Sequence, residues 1–201
     1  MFEPYVIEEN GRNGEKGYPL YARMLKDRII MVIGEVEENM SAAVCSQLLY
    51  LEQQDPQAPI FMYINSPGGS VTAGLAIYDT MNFVSCPVYT IAMGEAMSMG
   101  SFLLSAGTKS FSLPNTSLMY HSISSGFHGT VQDYEINFKE VQRLQDLLLG
   151  ILYKKVKEEF KQEFLNKIER DLYLTANEAV KYGLIDCVIT TKDDARNFLG
   201  V

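Results

Sequence analysis

Apolar positions along the chain switch between a strand period and a helix period. Arg28–Ile33 is a short β-branched run that ends at Gly34. Met40, Val44, Leu48 and Leu51 then recur at helical spacing. Asp55-Pro56 predicts the end of that helix, because the residue before a proline is pushed out of the helical region. Ile60–Ile64 predicts a second strand, followed by Asn65-Ser66-Pro67-Gly68-Gly69-Ser70. Val71, Gly74, Leu75 and Tyr78 mark a second helical face, and Val88–Ala92 predicts a third strand that Gly94 should break. Met97–Ala106 is rich in small residues and Met, the composition of a closely packed helix. Strand and helix alternating over short connections predict parallel pairing through right-handed crossovers.

Beyond Pro114 the run Ser117–Tyr120 predicts a further strand, and a loop carrying Gly126 and Gly129 follows. Tyr134, Phe138, Val141, Leu144, Leu148 and Leu152 keep one face of a long helix. Thr175-Ala176-Asn177-Glu178 has the spacing of a capping box, so a short helix should start there and end at Gly183. Leu184–Ile189 predicts a last strand. Residues 1–17 are polar, with Gly11, Gly14 and Gly17, and read as a mobile or partner-ordered arm; residues 191–201 read as a polar tail. No internal repeat interrupts this pattern, so the expectation is one α/β domain over residues 18–190.

Composition narrows the function. In 201 residues, 47% hydrophobic and 21% charged side chains leave room for a sizeable core and exclude wholesale disorder. Lys and Arg number 17 against 25 Asp and Glu, a net charge of −8, which argues against nucleic acid or an anionic membrane as the main partner. Cys45, Cys86 and Cys187 are too few and too scattered for a disulfide framework or a zinc cluster, so no metal is expected. No basic stretch followed by an apolar one opens the chain, and no run is long enough to span a bilayer; a soluble, cytoplasmic protein is the expectation. Gly68-Gly69-Ser70 lacks the lysine of a phosphate loop, so no means of using ATP and no cofactor are evident.

With only two histidines, candidates for a general base are few. His121 directly follows the strand Ser117–Tyr120, at the strand end where α/β folds form their ligand crevice, whereas His128 sits in the glycine-bearing loop. A hydrogen-bonded core histidine is the competing reading of His121. A base needs a nucleophile and an orienting carboxylate. Ser98 lies between Gly94 and Gly100, where a buried strand hands over to a helix whose free N–H groups can steady an oxyanion; a plain N-cap is the commoner fate of a serine so placed. Asp171, ahead of Leu172–Leu174, is a candidate acid or an ordinary surface loop residue, and the Gly68-Gly69 pair by itself reads as a tight turn.

The blocks Tyr63-Ile64-Asn65-Ser66-Pro67-Gly68-Gly69-Ser70-Val71-Thr72-Ala73-Gly74 and Ala96-Met97-Ser98-Met99-Gly100 resemble the proteolytic-subunit family of the Clp proteases, ClpP. Leu113-Pro114-Asn115 with His121, and Asp171 with Leu172-Tyr173-Leu174-Thr175-Ala176, continue the likeness in the family's order, from about residue 18 to residue 189. The resemblance implies a crotonase-like domain with a parallel sheet core and a protruding strand-helix handle over about 122–160. It implies Ser98 as nucleophile, His121 as base, Asp171 as orienting acid, and the Gly69 and Met99 N–H groups as oxyanion hole. It further implies two stacked heptameric rings, a separate AAA+ ATPase unfoldase, and unfolded polypeptides as substrates. Phe61, Tyr63, Ile91, Met93, Phe111 and Leu113 fall where the family docks that ATPase; as plain strand residues they would belong to the core.

The chain departs from the family pattern at Ser122-Ile123, usually Gln-Pro, and at Glu95 and Met97, usually Gln and Ala. Two alternatives therefore stand beside a serine endopeptidase. One is a non-catalytic ring subunit that partners an active ClpP paralogue. The other is an acyl-CoA hydratase or isomerase of the same fold, which places acidic residues in its site.

Overall fold

In the computed structural model, which describes residues 4–9, 14–191 and 193–194, the N-terminal arm is a hairpin. Its strands β1 (Tyr5–Glu9) and β2 (Glu15–Pro19) pair antiparallel, and α1 (Leu20–Lys26) follows directly. The Leu20 N–H donates to the Pro4 carbonyl at 2.8 Å, and Arg23 pairs with Glu8, so helix and hairpin form one unit. α1 contains no buried residue, which is why no apolar period betrayed it. Residues 1–3 and 10–13 of the arm, and 192 and 195–201 of the polar tail, lie outside the described residues.

The expected alternation follows: β3 (Ile29–Ile33), α2 (Glu38–Gln54), β4 (Ile60–Ser66), α3 (Val71–Phe83), β5 (Val88–Met97) and α4 (Met99–Ala106). Then come β6 (Lys109–Ser112), β7 (Ser117–Tyr120), α5 (Val131–Tyr153), α6 (Lys161–Lys167), β8 (Leu172–Thr175), α7 (Ala176–Tyr182) and β9 (Cys187–Val188). The fold is α/β, with a sheet of order β3-β4-β5-β6-β9 paired parallel throughout; β7 joins β5 in parallel and β8 joins β7 antiparallel. β6 and α6 carry too few apolar positions to show a period, and the last strand is shorter than Leu184–Ile189, whose first two residues are buried off the ladder.

Strand alternation divides the apolar side chains between two faces. One face meets α2–α7 in a large core that includes Ile30, Met62, Ile64, Leu48, Ile77 and Leu103. The other carries a small cluster of Phe61, Ile91, Phe111 and Ile189. Arg28, left-handed at φ 62°, fastens the C-terminal end of α2 to the sheet: its guanidinium donates to the carbonyls of Leu51, Asp55, Ala58 and Pro59 at 3.0–3.1 Å.

Two features of β5 set up the site. The strand does not break at Gly94 but bulges there. Its register against β4 shifts between Ile64↔Ala92 and Ser66↔Ala96, and Gly94, at φ +70°, allows the extra residues to turn out. The first half of β5 pairs with β6 and the last three residues with β7 (Glu95↔Ser117 to Met97↔Met119), so β5 and β7 end side by side. The long helix of the expected handle is present, started by a capping box of Thr130 and Asp133. Residues 121–130 pair with no strand among the described residues, so only the helical half of the handle is regular within one chain.

Candidate active site

Ser98 stands at the junction of β5 and α4 with φ 52° and ψ −121°, a left-handed backbone that costs a serine roughly 1–3 kcal/mol. The surroundings hold it there. Its N–H donates to the Met119 carbonyl at 2.9 Å, and its carbonyl accepts from the Phe102 N–H at 3.1 Å. The buried Ser101 hydroxyl lies 2.8 Å from that carbonyl and 2.7 Å from the Met119 carbonyl, tying the end of β5 to the end of β7. The turn aims Ser98 Oγ away from its own helix: it makes no capping bond, so the N-cap reading of this serine is excluded.

Ser98 Oγ instead meets His121 Nε2 at 2.8 Å, and His121 Nδ1 meets Asp171 Oδ1 at 3.1 Å. For the neutral ring the partners assign the tautomer. A carboxylate only accepts, so Nδ1 carries the proton and Nε2 is left to accept from the serine hydroxyl. The histidine side chain is 21% exposed and the aspartate 57%, an open edge rather than a sealed core. The two side chains expected to act together are in contact. Asp171 reaches His121 because β8 runs antiparallel to β7, pairing Tyr120 with Leu172, and so sets the residues just beyond those two ends together.

The glycine pair lies against the serine. Gly68, at φ +100°, leaves no space for a side chain: a Cβ there would sit 2.6 Å from Ser98 Cβ and 3.0 Å from the Met99 nitrogen. Val36 grips the loop from the other side, donating its N–H to the Gly68 carbonyl and accepting from the Ser70 N–H, both at 2.7 Å. The Met99 N–H, first in α4, is free of intrahelical bonding as at any helix start. It and the Gly69 N–H have no hydrogen-bond acceptor among the described residues. The pair is thus packed between the serine on one side and Val36 on the other.

A cavity of about 270 Å³ opens at Ser98 and His121. Its wall is largely apolar, with Val71, Phe102, Leu148, Leu149 and Ile168, and Gln145 supplies a polar edge; among the described residues no Asp or Glu lines it. Of the six strand residues expected to dock a partner, Phe61, Ile91 and Phe111 lie side by side in the small second cluster with Tyr63 against it. Ile91 and Phe111 are buried, Met93 lies in the β5 bulge, and Leu113 is 38% exposed outside that cluster. Position alone did not single out Ser101 or Gln145. A hydroxyl one helical turn after Ser98 was a legible signal for Ser101; Gln145 comes from a distant helix and left none.

A serine hydroxyl, an imidazole and a carboxylate in series, at neighbouring strand ends beside a cavity, define a serine hydrolase of the α/β class. The sequence model of the Clp protease family matches residues 12–192. A curated relative from Deinococcus radiodurans, the ATP-dependent Clp protease proteolytic subunit, is 51% identical over 188 residues, covering 92% of this chain and 91% of that protein. The chain belongs to the Clp protease family, as a serine protease subunit of the Clp type.

Proposed function

We propose that the chain is the proteolytic subunit of an ATP-dependent Clp-type protease, with Ser98, His121 and Asp171 as its catalytic triad. The observation that carries this reading is the unbroken series Asp171–His121–Ser98 at 3.1 and 2.8 Å. Ser98 Oγ bonds to the scissile carbonyl carbon as its proton passes to His121 Nε2. The Gly69 and Met99 N–H groups donate to the oxyanion. His121 returns the proton to the departing amine as the C–N bond breaks; water then gives a proton to His121 as it bonds to the acyl carbon, and that proton passes to Ser98 Oγ as the acyl C–O bond breaks. Asp171 holds the productive tautomer and steadies the imidazolium. The apolar cavity beside Ser98 suits an apolar side chain of an unfolded polypeptide. Its lack of acidic groups speaks against the hydratase reading.

The coarser implications of the family go with this reading. The subunit assembles with its own kind, in two stacked heptameric rings, and takes substrates from a separate ATPase. Phe61, Tyr63, Ile91, Met93, Phe111 and Leu113 belong to the docking face, with Tyr63, Met93 and Leu113 its more accessible members. No helix among the described residues is long and apolar enough to cross a membrane, and the proposed site of action is the cytoplasm.

A fluorophosphonate should label Ser98 in the assembled protein, and Ser98→Ala should lose both the label and peptide cleavage by several orders of magnitude. Undiminished cleavage in that variant, or a label on another residue, would overturn the assignment. A homomeric particle that neither labels nor cleaves would favour the non-catalytic subunit.

A further inference from the structure

The segment that follows the histidine is fastened from a helix that contributes nothing to the triad. Gln145, on α5, accepts the Ile123 N–H on Oε1 at 2.6 Å and reaches Ser122 Oγ with Nε2 at 3.5 Å. Ser122 in turn donates to the Ile168 carbonyl through its N–H at 2.8 Å and its hydroxyl at 3.1 Å. On its upstream side His121 is steadied by the pairing of Tyr120 in β7 with Leu172. Downstream, no strand pairing precedes α5 among the described residues, so the Ser122–Ile168 bonds and the Gln145 clamp together are the first restraints after the imidazole. The bond needs an N–H at position 123, and Ile123, one of the places where the chain departs from its family's pattern, supplies it.

We propose that Gln145 is a positioning residue for the base, acting through Ser122 and Ile123 to hold the backbone from which His121 reaches both Ser98 and Asp171. The inference rests on the triad reading above. A side chain that must keep two directional bonds tolerates little backbone drift, and a misplacement near 1 Å in a catalytic group lowers rates about a hundredfold. Loss of a clamp one residue removed should have a smaller effect, about tenfold.

The test uses the full-length assembled protein, with rates counted per assembled particle. Gln145→Leu should lower kcat on a short fluorogenic peptide and the rate of fluorophosphonate acylation of Ser98 together, each about tenfold and by more than any change in KM. Gln145→Glu retains an acceptor oxygen and should recover most of both rates. Ile123→Pro removes the donor of the shorter bond and should show most of the same loss, and Gln145→Leu should cost less in that background than it does alone. An acylation rate within about twofold of the parent in Gln145→Leu, or a rise in KM alone, would overturn the proposal and leave Gln145 as cavity wall. Ser98→Ala separates the two levels of failure: label persisting there sinks the triad itself, whereas normal acylation of Ser98 in Gln145→Leu sinks only the clamp.

Discussion

Gly68→Ala is the sharpest small perturbation of the site, because it adds one carbon where the structure has no room. The new Cβ would lie 2.6 Å from Ser98 Cβ and 2.8 Å from the Met97 carbonyl oxygen, while ordinary contact begins at 3.4 Å. The two carbons must separate by roughly 0.8 Å. The loop is poorly placed to yield, since Val36 holds both of its flanks at 2.7 Å and fills the space behind Gly69, where a Cβ would meet the Val36 carbonyl at 2.3 Å. The displacement therefore falls on Ser98, whose backbone is already left-handed. Alanine at φ +100° adds about 1–2 kcal/mol of backbone strain of its own. A nucleophile moved by most of an ångström should lose about a hundredfold in kcat. Steady-state cleavage of a fluorogenic peptide, with acylation of Ser98 by a fluorophosphonate in parallel, measures the effect. Turnover within a few-fold of the parent in an assembled Gly68→Ala particle would refute this account of how the loop and the serine fit.

Three further perturbations have defined outcomes. Ser101→Ala removes the hydroxyl shared by the Ser98 and Met119 carbonyls; both keep one backbone donor, so the loss should be about 1 kcal/mol in urea unfolding, with a fall in turnover that exceeds any change in KM. Arg28→Ala strips one charged donor group from four carbonyls and should destabilise by on the order of 3–5 kcal/mol, and Arg28→Lys should recover little because an ammonium cannot span them. The Thr175 backbone N–H, and then its hydroxyl, hold the Glu178 carboxyl below its ordinary range. The stability this lends is complete above the carboxyl's unfolded value of about 4.3 and disappears as pH falls through the lowered one. Glu178→Gln should flatten that acid limb in denaturation curves recorded across it, and an unchanged limb would show that the capping box is not titrating.

Much of the architecture was legible because the elements that form the core carry their own period. The spacing of Val44, Leu48 and Leu51 marks the face of α2 that is buried, and the Thr175–Glu178 box and Gly183 bound α7 as their local chemistry demands. α1 buries nothing, and β6 offers one large apolar side chain, so neither announced itself. Gly94 misled for a related reason: a left-handed residue either ends a strand or bulges it, and only the neighbouring strands decide which.

At the site, the chain on its own determined the chemistry available: two histidines, a serine at a strand-to-helix junction, a glycine pair and a late aspartate. Their order along the chain narrowed the family. Whether Ser98 capped its helix or faced an imidazole depended on a backbone angle that no local pattern encodes. Whether Asp171 met the imidazole depended on β8 running back along β7, and the reach of Gln145 on the packing of α5 against residues fixed elsewhere. Local sequence sets preferences that extend over a few residues, whereas hydrogen bonds across 23 and 50 positions, such as those made by His121, exist only once the sheet has brought its strand ends together.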